Sequence, residues 1–546
     1  MNGMFLERAI YLFARSFQRT IFSVFSSESS QEENGQVLIN YNKIIKRLVD
    51  ALYCLHVFTN EKFIFENLKS IQKIYNHLNS LSSSKSKILD HLDSLSVSLT
   101  EKAMISAQES QPIENYALLL EVSRNITEGV ANGAFQFMSN PEICLNFKKE
   151  IPMLMQIVKS IVAKNQEVIK PFLASIEAKF NELASGGENN STVAVLVFIY
   201  QLIGIFSNDT SNESSKPSNG SFLEFFKWAF PNQLTALAKI APQVSVNPEI
   251  ASTYLKLWYI FMSQVTVHQK NSSIFKPHSP DSIILFTMVT NVLVSYLQAT
   301  AATVAQNDLY KEKLKPMKNA MLLMSESLGA DYIMFGVFEL YNDPTLVNLL
   351  TNFISIISGL SIEVILQYPK LSIAYMKLIV ALCKNHLMTI CNCSLEFFDY
   401  LFTAIYAGLR EINEEIRDMS IDAGKLMGKF VQSNKTNQVI AESIGRNQAV
   451  ITQILTIAID LYLTTNKEYN LLMLINPFLT FLPNYMQNLA TTMLPQVPQD
   501  GADKYREIFQ ELIAAATDIF MFDKFKLAME QLKNFAKIVH LKVPVQ

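Results

Sequence analysis

Three thiols and an imidazole fall within 11 residues, at Cys383, His386, Cys391 and Cys393. Zinc accepts such a set, because thiolate sulfur and neutral imidazole nitrogen are its preferred donors. The spacing argues the other way. Cys391-Asn392-Cys393 is tighter than the usual gap of about two to four residues between zinc-binding cysteines, and Cys383 continues the apolar run Leu378 to Leu382. Small core thiols around a helix end are the expectation, and no residue is assigned to a metal.

Glu411, Glu414, Glu415 and Asp418 cluster beside Arg410 and Arg417. Paired carboxylates can serve as acid and base, but this mixture of signs on one helix reads as a solvated, salt-bridged face. Phe225, Phe226 and Trp228 could accept a partner's aromatic side chain, although residues of this kind more often pack between helices. The 16 glycines are scattered, with neither a phosphate-binding G-x-x-x-x-G-K-[ST] nor a dinucleotide-binding G-x-G-x-x-G. The seven histidines (His56, His77, His91, His268, His278, His386, His540) are dispersed, without H-E-x-x-H or G-x-S-x-G. No catalytic residue and no cofactor are assigned, and an enzyme is not expected.

The elements that would position these residues are helices throughout. Leu6, Ile10, Phe13, Phe17, Ile21 and Val24 step by three or four, with Arg8, Arg15 and Arg19 off the stripe. A polar stretch, Ser26 to Gln36, closes that pattern, and a second helical pattern runs from about Val37 to Phe58. Further breaks rich in Ser, Asn, Gly or Pro fall at Ser80 to Lys87, Ala184 to Thr192, Ser207 to Ser221, Gln269 to Asp281 and Pro495 to Ala502. Late helices keep the period, with Ile451, Ile454, Leu455, Ala458 and Leu461 in one, and Phe525, Leu527, Met529, Leu532, Phe535 and Ala536 in another. Between the breaks the pattern predicts roughly 22 to 25 helices at about 45 residues per antiparallel pair, the length of HEAT and armadillo repeats. A pair apolar on one side cannot bury that face alone, so neighbouring pairs must stack. The expectation is an all-α helical-repeat solenoid, divided into repeats over 1–206, a polar loop over 207–221, and C-terminal repeats over 222–546.

Composition agrees with burial everywhere. Of 546 residues 49% are hydrophobic and only 17% charged, which excludes disorder for most of the chain. Lys and Arg number 46 against 49 Asp and Glu, a net of -3 with no block of five like charges, so nucleic acid is not an expected partner. The longest apolar run, Val193 to Phe206, is 14 residues and includes Gln201, short of the roughly 18 to 20 needed to cross a bilayer. No membrane partner is expected. The helical stripe starts close behind Met1 without a basic region or a small-residue cleavage site, so a secretory signal is not expected. Five sparse cysteines, Cys54 and Cys144 with the three above, suit a reducing compartment. Sequons such as Asn208-Asp209-Thr210 and Asn125-Ile126-Thr127 are frequent by chance in a chain this rich in Asn and Ser.

Several segments carry a resemblance. Phe222 to Pro231 (FLEFFKWAFP), Phe275 to Phe286 (FKPHSPDSIILF), Tyr332 to Asp343 (YIMFGVFELYND), and Tyr368 to Ser372 (YPKLS) with Tyr375 and His386 resemble the exportin-7 type of nuclear export receptor. This type, also called Ran-binding protein 16 and 17, belongs to the importin-β superfamily. Tyr505 to Val539 is similar to that family's last two helices, and residues 5–75 to its middle region. The resemblance extends by pattern over nearly the whole chain, and is sharpest between 221 and 400 and after 500.

It implies a transport receptor that binds cargo proteins on its solenoid, takes Phe-Gly repeats of the nuclear pore, and shuttles between nucleus and cytoplasm. It also implies the small GTPase Ran as a partner, through an N-terminal half absent here, so the sequence looks like the C-terminal half of a receptor, either a natural form that has lost the rest or, as the start of Met1 directly before a mid-solenoid helix favours, a truncated one. A helical-repeat scaffold unrelated to transport is the alternative, since solenoids host many functions.

Overall fold

The computed structural model describes residues 170–184, 192–207 and 219–544, apart from positions 273, 275, 303–307, 483 and 517–521. The stripes from Leu6 to Val24 and Val37 to Phe58, the break at Ser80 to Lys87, and most of the 1–206 tract lie outside the described residues. The chain divides into two compact units, Met1–Leu237 and Ala238–Gln546. Among the described residues there are 21 α-helices and no strand.

In the first unit lie α1 (Lys170–Ala184), α2 (Thr192–Phe206) and α3 (Asn219–Ala229), with α4 (Asn232–Lys239) crossing the boundary. Aromatic edges hold the first unit together. Phe180 meets Phe198 edge-on at 4.9 Å, Phe206 meets Phe222 at 6.5 Å, and Phe226 stacks on Phe230 at 5.3 Å.

The second unit begins with α5 (Ala241–Val244), α6 (Pro248–Ser272), α7 (Pro280–Ala301), α8 (Lys315–Gly329), α9 (Gly336–Leu340) and α10 (Thr345–Ile357). It continues with α11 (Ile362–Leu366), α12 (Pro369–Asn385), α13 (Leu387–Cys393), α14 (Leu395–Leu409) and α15 (Glu414–Ser433). It ends with α16 (Gln438–Arg446), α17 (Gln448–Thr464), α18 (Glu468–Leu479), α19 (Tyr485–Met493), α20 (Ala502–Ala516) and α21 (Phe522–Val539). Local chemistry sets many of the starts. Pro248, Pro280 and Pro369 stand at first helical positions, where the missing N–H costs nothing. Asn413 caps α15 by accepting from Glu415 N at 2.9 Å, and Ser394 and Asn437 do the same for α14 and α16.

These helices form two rows, each touching mainly its neighbours. One row runs α6, α8, α12, α15, α18 and α21; the other runs α7, α10, α14 and α17, with short α13 between α10 and α14. Apolar stripes drive the stacking: in α10, Leu346, Leu349, Leu350, Phe353, Ile354 and Ile357 are all buried. Each such side chain contributes about 1.5–3 kcal/mol. This is the all-α helical-repeat solenoid the sequence predicts, with two departures.

First, the repeat is longer than about 45 residues. Helices of the first row start at 248, 315, 369, 414, 468 and 522, intervals of 67, 54, 45, 54 and 54. The added length lies in short helices such as α11, α16 and α19, which two helices per repeat leave out of the count. Second, Leu527 is 57% exposed although it was placed on the apolar stripe of the last helix. It stands two positions from fully buried Phe525 and two from Met529, which turns it away from both.

The longest apolar run in the sequence, Val193 to Phe206, is not where the longest apolar helix lies. α7 is 22 residues long and, among the described residues, is the single helix long and apolar enough to cross a bilayer. Its apolar positions Leu285, Phe286, Val289, Val292 and Leu293 are fully buried, and α5, α8 and α10 pack on it.

Candidate interaction surface

The cysteine and histidine set does not converge. Among the described residues no group of three or more His, Cys, Asp or Glu side chains is placed to hold a metal. Cys383 is buried in α12, and burial pushes its thiol up to about 12. His386 is 1% exposed and turns toward α8, its Nε2–H donating to the Leu328 carbonyl at 3.0 Å. Its ring meets Phe335 edge-on at 4.6 Å. Burial lowers its pKa below the ordinary histidine value, and the Leu328 hydrogen bond opposes that only in part.

The carboxylates pair across helices rather than along their own. Glu414 bonds Lys467 at 2.7 Å, Asp418 binds the same ammonium, and Glu415 reaches Lys377 at 4.0 Å. Lys467 holds Glu414 below its usual range and is itself raised by Asp418 and then Glu414. This arrangement ties the start of α15 to the start of α18 and presents no acid–base pair. The neighbouring Arg410 instead covers the Tyr406 ring at 5.5 Å. Of the aromatic trio, Phe225 and Phe226 are core residues, whereas Trp228 is half-buried and donates from Nε1 to Glu177 at 2.7 Å.

Three of the stretches that carry the resemblance, 275–286, 332–343 and His386, are separate in sequence and meet in space. Phe286 of the 275–286 segment packs against Phe335 at 5.3 Å and Phe338 at 5.2 Å, and Met334 N donates to the Pro277 carbonyl at 3.2 Å. His386 closes the same cluster through Phe335. In YPKLS, Ser372 Oγ donates to Ile365 O at 3.0 Å, locking the turn that starts α12. These motif residues are therefore mostly braces between successive pairs. Their outer edge is apolar and open: Met334, Leu340 and Tyr341 are 55%, 74% and 75% exposed. An open apolar edge on a rigid brace suits contact with another macromolecule.

A second concavity, of about 480 Å³, lies between the end of α14, α17 and α19. It is lined by Tyr406, Gln448, Gln453, Asn484, Tyr485 and Asn488 among others, with no Asp, Glu, Lys, Arg or His. Tyr485 shares a hydrogen bond with Thr456 at 2.9 Å, and burial pushes its phenol up to about 12. Amides and a protonated phenol can hold a polypeptide backbone; they supply no base near neutral pH. Nothing in the sequence reading singled this groove out, because neutral side chains on three helices form no motif.

No family model matches the chain. Exportin-7 of Dictyostelium discoideum is 27% identical to it over 290 residues, which covers 52% of this chain and 28% of that protein. Exportin-7-B of Xenopus laevis is 24% identical over 259 residues (46% and 23%), and human Ran-binding protein 17 is 27% identical over 195 residues (35% and 18%). The chain is exportin-7-like. Its likeness covers about half of the chain, less than the near-complete extent its pattern implies, and the match to the Dictyostelium relative takes up little more than a quarter of that protein's length. For this exportin-7-like chain, the open edges of the helical rows and the neutral polar groove at Tyr485 are surfaces that the described residues offer to a partner.

Proposed function

We propose that the chain is part of a nuclear transport receptor that holds cargo proteins on its helical rows in a Ran-GTP-dependent cycle. The similarity to proteins named exportin-7 and Ran-binding protein 17 carries this reading, and the two-row stack supports it by offering long helical surfaces. Mechanically the cycle is linkage. Cargo and Ran loaded with GTP favour the same curvature of a flexible stack, so each raises the other's affinity by the same factor. Ran contact is assigned to the N-terminal arch of the longer relatives, and Phe-Gly repeats of the pore to gaps between outer helices.

The test is a pull-down with Ran in its GTP and GDP forms. This chain by itself is expected to show little nucleotide preference, whereas a chimera carrying it behind a relative's N-terminal half should be captured by the GTP form only. A chimera without that preference would remove the reading. Tagged chain is expected in nucleus and cytoplasm and at the nuclear rim; staining that stays cytoplasmic when export is blocked favours a scaffold unrelated to transport.

A further inference from the structure

Four lysines from three stretches of the sequence gather on consecutive helices of the first row: Lys256 on α6, Lys315 and Lys318 on α8, and Lys370 on α12. Two contacts fix their juxtaposition. Asn319 Nδ2 donates to the Ser252 carbonyl at 2.7 Å, clamping α8 to α6 one helical turn from both Lys315 and Lys256. Tyr310 stacks on Tyr368 at 5.2 Å, which sets the start of α8 beside the start of α12, where Lys315 and Lys370 stand. Lys256, Lys315 and Lys370 are exposed and Lys318 is half-buried among them.

None of the four forms an ion pair among the described residues, although acids outnumber bases in the whole chain. The charges that weigh on Lys318 are Lys256, Lys370 and Lys315, with no carboxylate among them; burial first, and these neighbours second, lower its pKa. The N-terminal dipoles of α8 and α12 add to the same positive field. Like charges held together without a counterion oppose folding, and a feature kept at such a cost marks a binding surface.

We propose that this cluster docks an acidic segment of a partner polypeptide. Adjacent helices lie about 10 Å apart, so three of them span about 20 Å, the length of roughly six extended residues at about 3.3 Å each. A run of Asp and Glu of that length meets the four ammonium groups. Nucleic acid fits less well, because the cluster has no arginine fork for phosphate, its tyrosines are already stacked on each other, and four charges make a small footprint on a phosphate backbone. The site stands independently of the transport reading.

The experiment is fluorescence anisotropy of a labelled hexaglutamate peptide with the full chain at low salt. Saturable binding that weakens as salt rises is expected. Replacing Lys256, Lys315, Lys318 and Lys370 together by Gln should weaken it by about tenfold, the sum of four exposed pairs, with unchanged helical circular dichroism and an equal or higher thermal midpoint. Lys504→Gln with Lys524→Gln, far along the chain, should bind as the parent does. If the fourfold variant loses its helical signal, Lys370→Glu alone carries the test and should weaken binding by about threefold. Absence of saturable binding to the parent chain, or equal binding by the variants, overturns the proposal. So does a single-stranded RNA of equal charge that binds more tightly than the peptide and is lost with the same substitutions.

Discussion

His386 is a buried imidazole held neutral, donating to Leu328 and packed on Phe335. Its folded pKa is depressed, so the unfolded chain takes up the proton first as acid is added. The stability it contributes is complete above the ordinary histidine value of about 6.5 and is lost as pH falls through the folded pKa. His386→Gln, which keeps a donor without titrating, should flatten the loss of thermal midpoint below about pH 6.5; an unchanged acid slope would assign that loss elsewhere. His386→Ala should cost about 2–4 kcal/mol in urea unfolding, since it removes both the hydrogen bond and the ring contact. Cys383 is expected to resist iodoacetamide at pH 8 until the chain unfolds, while half-buried Cys393 reacts in the folded protein. Peptide mass mapping distinguishes the two. The fate of these residues was only half legible: the apolar run around Cys383 announced a core thiol, but nothing local told that His386 reaches a carbonyl 58 residues away.

Between elements, α15 and α18 approach closely at two glycines. A Cβ added at Gly424 would lie 2.6 Å from Leu474 Cδ1, and one at Gly428 would lie 3.1 Å from Pro477 Cβ. Both glycines serve to let the helices meet. Gly424→Val is expected to lower stability by about 1–3 kcal/mol through overpacking, read as a lower urea midpoint at constant slope. Asn413→Ala, which removes the cap of α15, should cost about 1 kcal/mol by the same measurement. The existence and type of these helices followed from the apolar period and the polar breaks between them. The interval between pairs did not, because short helices such as α16 and α19 last only about two and a half turns, too few for an apolar period to set them apart from their neighbours.

At the scale of the molecule, the two tryptophans of the chain fall one in each compact unit, Trp228 half-buried and Trp258 fully buried. In a stack whose helices touch mainly their neighbours, cooperativity decays with distance. Single-tryptophan variants, Trp228→Phe and Trp258→Phe, should therefore report different urea midpoints for the two units. Coincident transitions in both would show one cooperative body instead.

What the sequence determined by itself is the class of the fold and the kind of relative. Apolar side chains every three or four positions admit helices only, and helices apolar on one face must stack. Short family-like segments survive because they brace successive pairs through local contacts such as Phe286 on Phe338. Tertiary structure alone decided which charges are paired and which are not. Glu414 and Asp418 find Lys467 some fifty residues on, whereas Lys256, Lys318 and Lys370 find only one another. Both outcomes depend on the spacing between stacked helices, and that distance is written in packing rather than in any neighbouring stretch of residues.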